Sequence, residues 1–352
     1  MKVKILRPII AAMSGIAIGL IIVTFAGENP WNVFRILVKS AFGTKYDLGM
    51  TLFYSTPLVF TGLSVAVAFR AGLFNIGAEG QLTMGALAAA AVGIIFPELG
   101  SPWAPMLGVR AAFSAGACWG AIPGWLKARR GAHEVINTIM LNFVAAGISS
   151  WVVLYLLKNT ESQNPETMPI GHWYFVRHLE FFGDAPVSTA LFLAIIVSLL
   201  VSFFLWRTVL GFEISAVGCN EKAARVAGID PGKIQLLAMA LAGGLAGLVG
   251  VSEVLGNAGK FRIGFSPDFG FMGIAVALLG RNNPTGVVIA ALLFGALHKG
   301  TSDLDLETEY VTRDLSMVLQ SLVIISVAAD GLWDQLGTAI KRKFRRDFAS
   351  VD

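Results

Sequence analysis

The chain has few charged residues and almost no cysteine, and both shortages narrow its possible functions. Charged residues make up 14% of the 352 and apolar residues 55%, whereas an ordinary soluble domain carries roughly 25% charged residues. The two cysteines, Cys118 in an apolar segment and Cys219 in a polar loop, form no spacing motif, which excludes a disulfide framework and a zinc site. With a mean hydropathy of +0.69, the composition predicts an all-α, polytopic membrane protein.

Ten apolar segments of the sequence are predicted to be membrane spans. A span needs about 20 apolar residues, or fewer if the helix is broken or shielded by protein. The eighth and ninth segments are too short to cross alone, so we expect them to be tilted, kinked or partly re-entrant. The segments are residues 8–26, 48–69, 81–96, 104–126, 134–157, 187–206, 234–251, 269–280, 284–297 and 314–329.

Basic residues cluster on one side of this ten-span arrangement, at the ends of the apolar segments. By the positive-inside rule that side is the cytoplasm. Both termini then lie there, together with loop 207–233 and a basic tail at 331–352, whereas 158–186 form an external loop. Because the charges mark span ends and not one folded surface, we expect no nucleic-acid binding despite a net charge of +4. We expect residues 1–352 to form one transmembrane domain, with spans within 8–330.

A polar break interrupts the apolar pattern at residues 72–81. Asn75, Glu79 and Gln81 stand there among glycines, between two apolar segments. Such groups are costly in hydrocarbon unless they face a protein interior or an aqueous cavity, and broken helices line substrate paths in transporters. We predict that the break, with Phe74, lines the path of a polar solute. Glu79 either accepts hydrogen bonds from backbone N–H groups freed at the break, which we favour, or contacts the solute.

The fifth span carries a polar stripe. Glu134, Asn137, Thr138 and Asn142 fall within about 140° of arc on a helix. The stripe either lines the pathway or bonds the broken backbone, or it makes ordinary interhelical hydrogen bonds. We favour packing for Asn142 and leave both alternatives open for Glu134 and Asn137. Glu253, after the seventh span, is interpreted as a solvated loop charge in preference to a solute contact.

Small residues recur at helical spacing in the fourth and seventh spans. Gly116, Gly120 and Gly124 share one helix face, as do Gly243 and Gly247. Faces of this kind allow two helix backbones to approach closely. We therefore predict helix packing at these glycines and assign no chemistry to them.

The cytoplasmic loop contains the pattern of a short helix. Asn220 is its expected N-cap and Gly228 closes it. A short rigid helix between two spans can push on both, so we predict a coupling role in preference to a plain connection. The small-residue face that would fit a groove on a partner consists of Ala223, Ala224 and Ala227.

Two enzyme signatures are missing. No Gly-x-x-x-x-Gly-Lys-[Ser/Thr] motif occurs, because Gly232-Lys233 is followed by Ile and Gly259-Lys260 by Phe, so the chain is not by itself a phosphate-loop ATPase. The stretch 133–137 lacks the second histidine of a metalloprotease helix. The spans also lack the chain of intramembrane Asp, Glu and Arg found in many proton-driven carriers. We expect a transport protein that is not an enzyme, binds no cofactor or metal itself, and draws energy from another subunit.

A family resemblance rests on four stretches: GLFNIGAEGQ (72–81), GAHEVINTIMLN (131–142), VGCNEKAARVAGI (217–229) and IAVALLGRNNP (274–284). They resemble permease subunits of bacterial ABC importers of the branched-chain amino acid, ribose and nucleoside type, and most of all the nucleoside permeases. The resemblance extends over about 51–330. Asn75, Glu79 and Gln81 match the family's broken-helix motif.

The resemblance implies an importer with two permeases, two cytoplasmic ATPases that use ATP-Mg and an external solute-binding lipoprotein, in the bacterial cytoplasmic membrane. The second permease is either a paralogue or an identical copy. The expected solute is a nucleoside; the alternatives are a monosaccharide such as ribose or, with a different mechanism, an ion-coupled carrier or channel. Six residues match the family's ATPase-contacting loop, and Glu221 and Ala227 complete the predicted coupling set. The six are Gly218, Asn220, Ala223, Ala224, Gly228 and Ile229.

Overall fold

The computed structural model describes residues 2–311 and 314–328, and within those residues the chain is helical and contains no β-strand. The predicted tail at 331–352 lies outside the described residues. The chain divides into two compact units, one drawn from 1–37 and 300–352 and the other from Val38–Lys299.

Fourteen α-helices occur within the described residues. They are α1 (Lys2–Phe25), α2 (Pro30–Phe42), α3 (Lys45–Arg70), α4 (Ala78–Ile95), α5 (Trp103–Arg130), α6 (Glu134–Trp151), α7 (Ala190–Arg207), α8 (Val209–Cys219), α9 (Glu221–Val226), α10 (Pro231–Gly247), α11 (Phe269–Leu279), α12 (Pro284–Ser302), α13 (Leu304–Glu307) and α14 (Leu315–Ala328). Two π-helical turns, Val152–Leu156 and Val251–Ala258, extend α6 and the α10 segment.

A helix covers each of the ten predicted spans, so the all-α, polytopic architecture is confirmed. Six helices in the described part of the chain are long and apolar enough to cross a membrane by themselves, and shorter apolar helices accompany them. At 11 residues, α11 is about 16 Å long, half of a hydrocarbon core of about 30 Å. The expectation that the eighth segment is too short is therefore confirmed.

The same expectation is wrong for the ninth segment. Helix α12 continues to Ser302 and has 19 residues, enough to cross. The sequence prediction ended this span at Leu297, just before His298 and Lys299. In the structure Lys299 is buried and its Nζ lies 3.2 Å from the Asp47 carboxylate at the start of α3, and this pairing lets the helix continue.

The predicted glycine faces pack against each other at the contact of α5 with α10. A Cβ on Gly116 would collide with the Gly243 carbonyl, and one on Gly247 with the Ala112 carbonyl. The packing prediction is confirmed, because only glycine allows the two backbones to come so close.

Two sets of contacts define opposite ends of the Val38–Lys299 unit. At one end Gly72 lies against the Gly218 backbone and the Arg70 guanidinium donates to the Asn282 carbonyl at 3.4 Å. At the other end the segment after α6 covers the end of α4, where the Gly171 N–H donates to the Gly93 carbonyl at 2.9 Å. The basic ends of α5 and α7 and the basic start of α10 belong to the first end, as the predicted orientation requires.

Candidate functional site

The N-termini of α4 and α11 meet inside the helical unit. The Glu79 Oε2 accepts a hydrogen bond from the Gly270 N–H at 2.7 Å, and a Cβ on Gly270 would collide with the Glu79 backbone. Helix N-termini carry partial positive charge and unpaired N–H groups. The half-buried Glu79 carboxylate therefore stabilises the start of α11. This contact is structural, but its donor belongs to α11 and not to the break at 72–81, where the sequence analysis expected the donors.

Asn75 and Gln81 form a reciprocal amide pair beside this junction. The Asn75 Nδ2 donates to the Gln81 Oε1 at 2.8 Å, and the Gln81 Nε2 donates to the Asn75 Oδ1 at 3.1 Å. Asn75 also donates to the Ser64 hydroxyl at 3.3 Å and accepts from the Gly77 N–H at 3.1 Å. Both amides are fully buried. Their polar atoms are used up in holding the non-helical segment before α4.

Asn142 of α6 bonds to the broken backbone from the other side. Its Oδ1 accepts from the Gly80 N–H at 2.8 Å, and its Nδ2 donates to the Ile76 carbonyl at 3.0 Å. The sequence analysis favoured ordinary packing for this residue. The structure instead shows the other alternative, because the amide replaces helical partners that the break removed.

Among the described residues, the side chains of the remaining predicted pathway residues make no hydrogen bond to this network. Glu134 lies 2.9 Å from the Lys127 Nζ at the base of α5. Half-buried Phe74 packs edge-on against Phe69, with 5.1 Å between ring centroids. The Asn137 Nδ2 is buried and has no hydrogen-bond partner within the part of the chain that the structure describes.

Glu253 forms a second polar cluster nearer the outer end of the unit. It lies in the π-helical turn Val251–Ala258, and only 9% of its surface is exposed. Its Oε1 has no hydrogen-bond partner among residues 2–311 and 314–328. Tyr54, which packs its ring 4.3 Å from that of His298, is within electrostatic reach of the carboxylate.

The interpretation of Glu253 as a solvated loop charge is therefore wrong. The apolar run ends near Val251, but the helical segment continues as a π-turn to Ala258 and carries the carboxylate inside. A π-turn shifts side chains out of the regular helical register, and such turns are frequent at functional sites. Hydrophobic periodicity alone does not reveal one.

The predicted external loop is folded onto this π-turn. The Ile170 N–H donates to the Gly259 carbonyl and the Val176 N–H to the Leu255 carbonyl, both at 2.9 Å. A His178 ring nitrogen lies 2.7 Å from the Gly256 carbonyl. The loop thus takes up carbonyl groups at the end of the π-turn, where regular helical partners are missing.

An ion-pair cluster fastens the loop to the chain that follows the π-turn. Glu166, 2% exposed, lies 2.7 Å from the Lys260 Nζ and 3.2 Å from the Arg262 Nε. The hydrogen bond from Lys260 is the largest cause that lowers the pKa of the Glu166 carboxyl below its ordinary value. Glu166 is consequently a negatively charged anchor at neutral pH.

The predicted coupling helix is present as α9. The Asn220 Oδ1 accepts from the Ala223 N–H at 3.1 Å, so the N-cap prediction is confirmed, and Gly228 follows with φ of +85°. Sequence reasoning missed α8, which directly precedes α9 and is short and apolar.

The predicted coupling residues divide between two faces. Ala224 is 4% exposed and packs in this chain's own core, against which Ile229 also packs. Gly218 lies against the Arg70 carbonyl. The outward-facing members of the set are Asn220, Glu221, Ala223, Ala227 and Gly228.

A sequence model for the family described as "Branched-chain amino acid transport system / permease component" matches residues 48–328. This chain belongs to that permease family. It is a multi-pass transport subunit of the cytoplasmic membrane, in a system whose ATP is hydrolysed by a separate ATPase subunit.

Three similar proteins cover more than nine-tenths of the permease. The guanosine ABC transporter permease NupP of Bacillus subtilis is 36% identical over 92% of this chain and 93% of its own length. The nucleoside permease NupB of Lactococcus lactis is 35% identical over 92% and 91%. The glucose permease TsgB13 of Haloferax volcanii is 32% identical over 98% and 92%. Bacillus subtilis also has a second guanosine permease, NupQ, that is 28% identical over 70% of this chain and 78% of its own length.

Proposed function

We propose that this permease imports nucleosides across the cytoplasmic membrane, driven by ATP hydrolysis in a partner subunit. The observation that carries the proposal is the likeness, over nearly the whole chain, to permeases named for guanosine and for nucleosides. Glu253 and Asn137 add suitable chemistry, because each keeps one buried polar atom without a hydrogen-bond partner among the described residues. Ribose hydroxyls and base N–H groups donate to such a carboxylate, and base carbonyls accept from such an amide.

Within the pathway we assign two different tasks to the polar residues. Asn75, Glu79 and Gln81 shape the path by holding the break between α3 and α4, with Phe74 and Glu134 at its margins. Glu253 and Asn137 contact the passing solute, because the Glu253 Oε1 and the Asn137 Nδ2 are buried and have no hydrogen-bond partner among the described residues. With only these two residues in contact, the solute is bound weakly. An importer needs weak binding in the pathway in order to release its solute.

The complete importer is proposed to contain two permeases, two ATPases and an external solute-binding lipoprotein. The occurrence of NupP and NupQ in one organism favours a paralogue as the second permease over an identical copy. The permease is proposed to act as one transmembrane domain over 1–352, with ATP-Mg bound only by the ATPases. The lipoprotein would deliver solute to the loop at 158–186.

We propose the outward face of α9 as the ATPase contact. Ala227→Trp is the informative variant, because Ala227 is exposed. A tryptophan at the buried Ala224 would instead disrupt the packing of the permease's own core, so a loss of the ATPase would have two explanations. We expect Ala227→Trp to insert normally but to lose the ATPase on purification, and the control Ala146→Trp, at an exposed alanine of α6, to retain it. Normal co-purification and normal ATP-driven uptake by Ala227→Trp would remove this assignment.

Uptake by the assembled importer tests the choice of solute. We expect unlabelled nucleosides to compete with labelled guanosine and free ribose not to compete. The likeness to a glucose permease favours a sugar as the second candidate, and competition by monosaccharides alone would establish that candidate instead. Solute flux through the reconstituted permease without any ATPase would contradict both and indicate a carrier or channel.

A further inference from the structure

An apolar groove of about 400 Å³ runs along the helical unit between α5, α7 and α10. Its lining is almost entirely aliphatic and aromatic, with Leu193 and Leu248 toward the outer end and Phe204 and Leu241 toward the cytoplasmic end. From Leu193 to Phe204 the wall of α7 is about 16 Å long. That length fits an extended acyl chain lying parallel to the helix.

The outer end of the groove carries a charge. Arg110 lines it, with Ser114 one turn further along α5. Arg110 is exposed, and across the described ranges 2–311 and 314–328 its guanidinium has no carboxylate partner and makes no hydrogen bond. An arginine on a spanning helix without a partner is costly in hydrocarbon unless it reaches the interface.

The position of Arg110 along α5 places it at that interface. Lys127, which marks the cytoplasmic end of the span, is 17 residues further on, or about 25 Å along the helix axis. Because a hydrocarbon core is about 30 Å thick, a guanidinium at Arg110 snorkels into the outer headgroup layer. The groove then begins at phosphate depth and descends into the hydrocarbon.

We propose that this groove binds an anionic phospholipid of the outer leaflet, with its phosphate on Arg110 and one acyl chain along α7. Charge complementarity selects the occupant: the only ionisable lining residue is a cation with five N–H donors suited to phosphate. The apolar surface continues on the exposed side of α7, where the lining residue Leu200 and its neighbour Leu199 are each 60% exposed. The proposal does not depend on which solute the permease carries.

The test measures phospholipid retained by the purified permease–ATPase complex. The complex is equilibrated in bilayers of phosphatidylglycerol and phosphatidylethanolamine, extracted with mild detergent, and its bound lipid is counted by mass spectrometry. Arg110→Gln removes the charge and Leu200→Trp fills the groove. Arg129→Gln, at the cytoplasmic end of the same helix, is the matched control.

We expect Arg110→Gln to retain about fivefold less phosphatidylglycerol than the wild type, since a direct charge-assisted hydrogen bond to phosphate contributes at least that factor. Leu200→Trp should retain similarly little, because the tryptophan occupies the space of the acyl chain. The control should retain the wild-type amount, and all three variants should keep the ATPase. Wild-type retention of phosphatidylglycerol by either groove variant would overturn the proposal. So would efficient cross-linking of Leu200→Cys to the second permease, because that subunit would then cover the groove.

Discussion

The junction at Asn75 and the π-turn at Glu253 both hold buried polar groups, yet they differ in how many of those groups are paired. At the junction, the Asn75 and Gln81 amides bond to each other, to Ser64 and to backbone N–H groups. At the π-turn, a carboxylate oxygen is buried without a partner among the described residues. In both clusters the buried polar groups lose their hydrogen bonds to water, but only at the junction are those bonds replaced by hydrogen bonds within the protein. The paired cluster is suited to hold the helices in place, and the cluster with the unpaired oxygen is suited to bind the passing solute.

The largest effect that separates the two clusters is expected from Asn75→Ala. The substitution leaves the Gln81 amide and the Gly77 N–H buried without partners, and each unsatisfied group costs about 1–3 kcal/mol. We expect the unfolding free energy to fall by about 3 kcal/mol, seen as a lower melting temperature of the purified complex. Gln163→Ala, at an exposed amide of the external loop, should leave the unfolding free energy unchanged. If the two variants have the same melting temperature, the junction is not the structural cluster.

Glu253→Gln is expected to act on transport and leave assembly intact. A solute group left without its hydrogen-bond partner in a buried site costs about 1–3 kcal/mol, or about tenfold in affinity, so the KM for nucleoside uptake should rise about tenfold, with an altered preference among nucleosides. Kinetics of the assembled importer measure both. Glu180→Gln, in an exposed ion pair of the external loop, is the matched control. If Glu253→Gln lost assembly but kept its selectivity, the carboxylate would have a structural role and would not contact the solute.

Glu79→Gln is expected to have a smaller effect of the opposite kind. The amide oxygen can still accept from Gly270, but the negative charge at the N-terminus of α11 is lost, and such a charge is worth about 1 kcal/mol. The yield of assembled complex should fall while the order of preference among nucleosides stays the same. Intact assembly with changed selectivity would show that Glu79 contacts the solute and would remove the contrast with Glu253.

The smallest expected effect concerns the loop that is bound to the π-turn. Because the folded-state pKa of Glu166 is lowered, its ion pairs stabilise the loop fully above the ordinary carboxyl pKa near 4.3. That contribution is lost as the pH falls through the lower folded value. Below about pH 4 we expect faster hydrogen exchange at the Thr167, Ile170 and Val176 amides, after correction for the intrinsic rate.

The amides of Gly77 and Gly80 at the junction are the internal control, since their acceptors are uncharged amide oxygens. Glu166→Gln should remove the pH response of the loop amides. Equal acceleration at both places would show that the two clusters open as one unit.

The sequence predicted those features that follow from local patterns. The spans follow from apolar runs, the glycine contact of α5 with α10 from i, i+4 spacing, and the Asn220 cap from a turn-forming side chain before a short helix. The network around Asn75 was placed in the correct segment because amides at a break between spans have few stable environments.

The features that sequence reasoning missed depend on contacts between distant segments. The charge at Lys299 ends a span unless Asp47, far away in sequence, lies beside it. Glu253 is buried because the chain continues as a π-turn under the external loop, and no period of 3.6 residues signals that turn. Ala224 looks equivalent to Ala227 in the sequence, but the direction of α9 turns only Ala224 inward.

The backbone contact between Gly72 and Gly218 determines how stiffly motion can pass through the permease. Gly72 begins the segment that leads to Asn75 and α4, and Gly218 stands near the end of α8, immediately before α9. No side chain lies between the two glycines, so nothing compressible or able to change rotamer can absorb a displacement. We therefore expect a small shift of α8 to displace the segment before α4 as well. Two glycines thus make this contact rigid, and a side chain at Gly218 would collide with the Arg70 carbonyl and push the two segments apart.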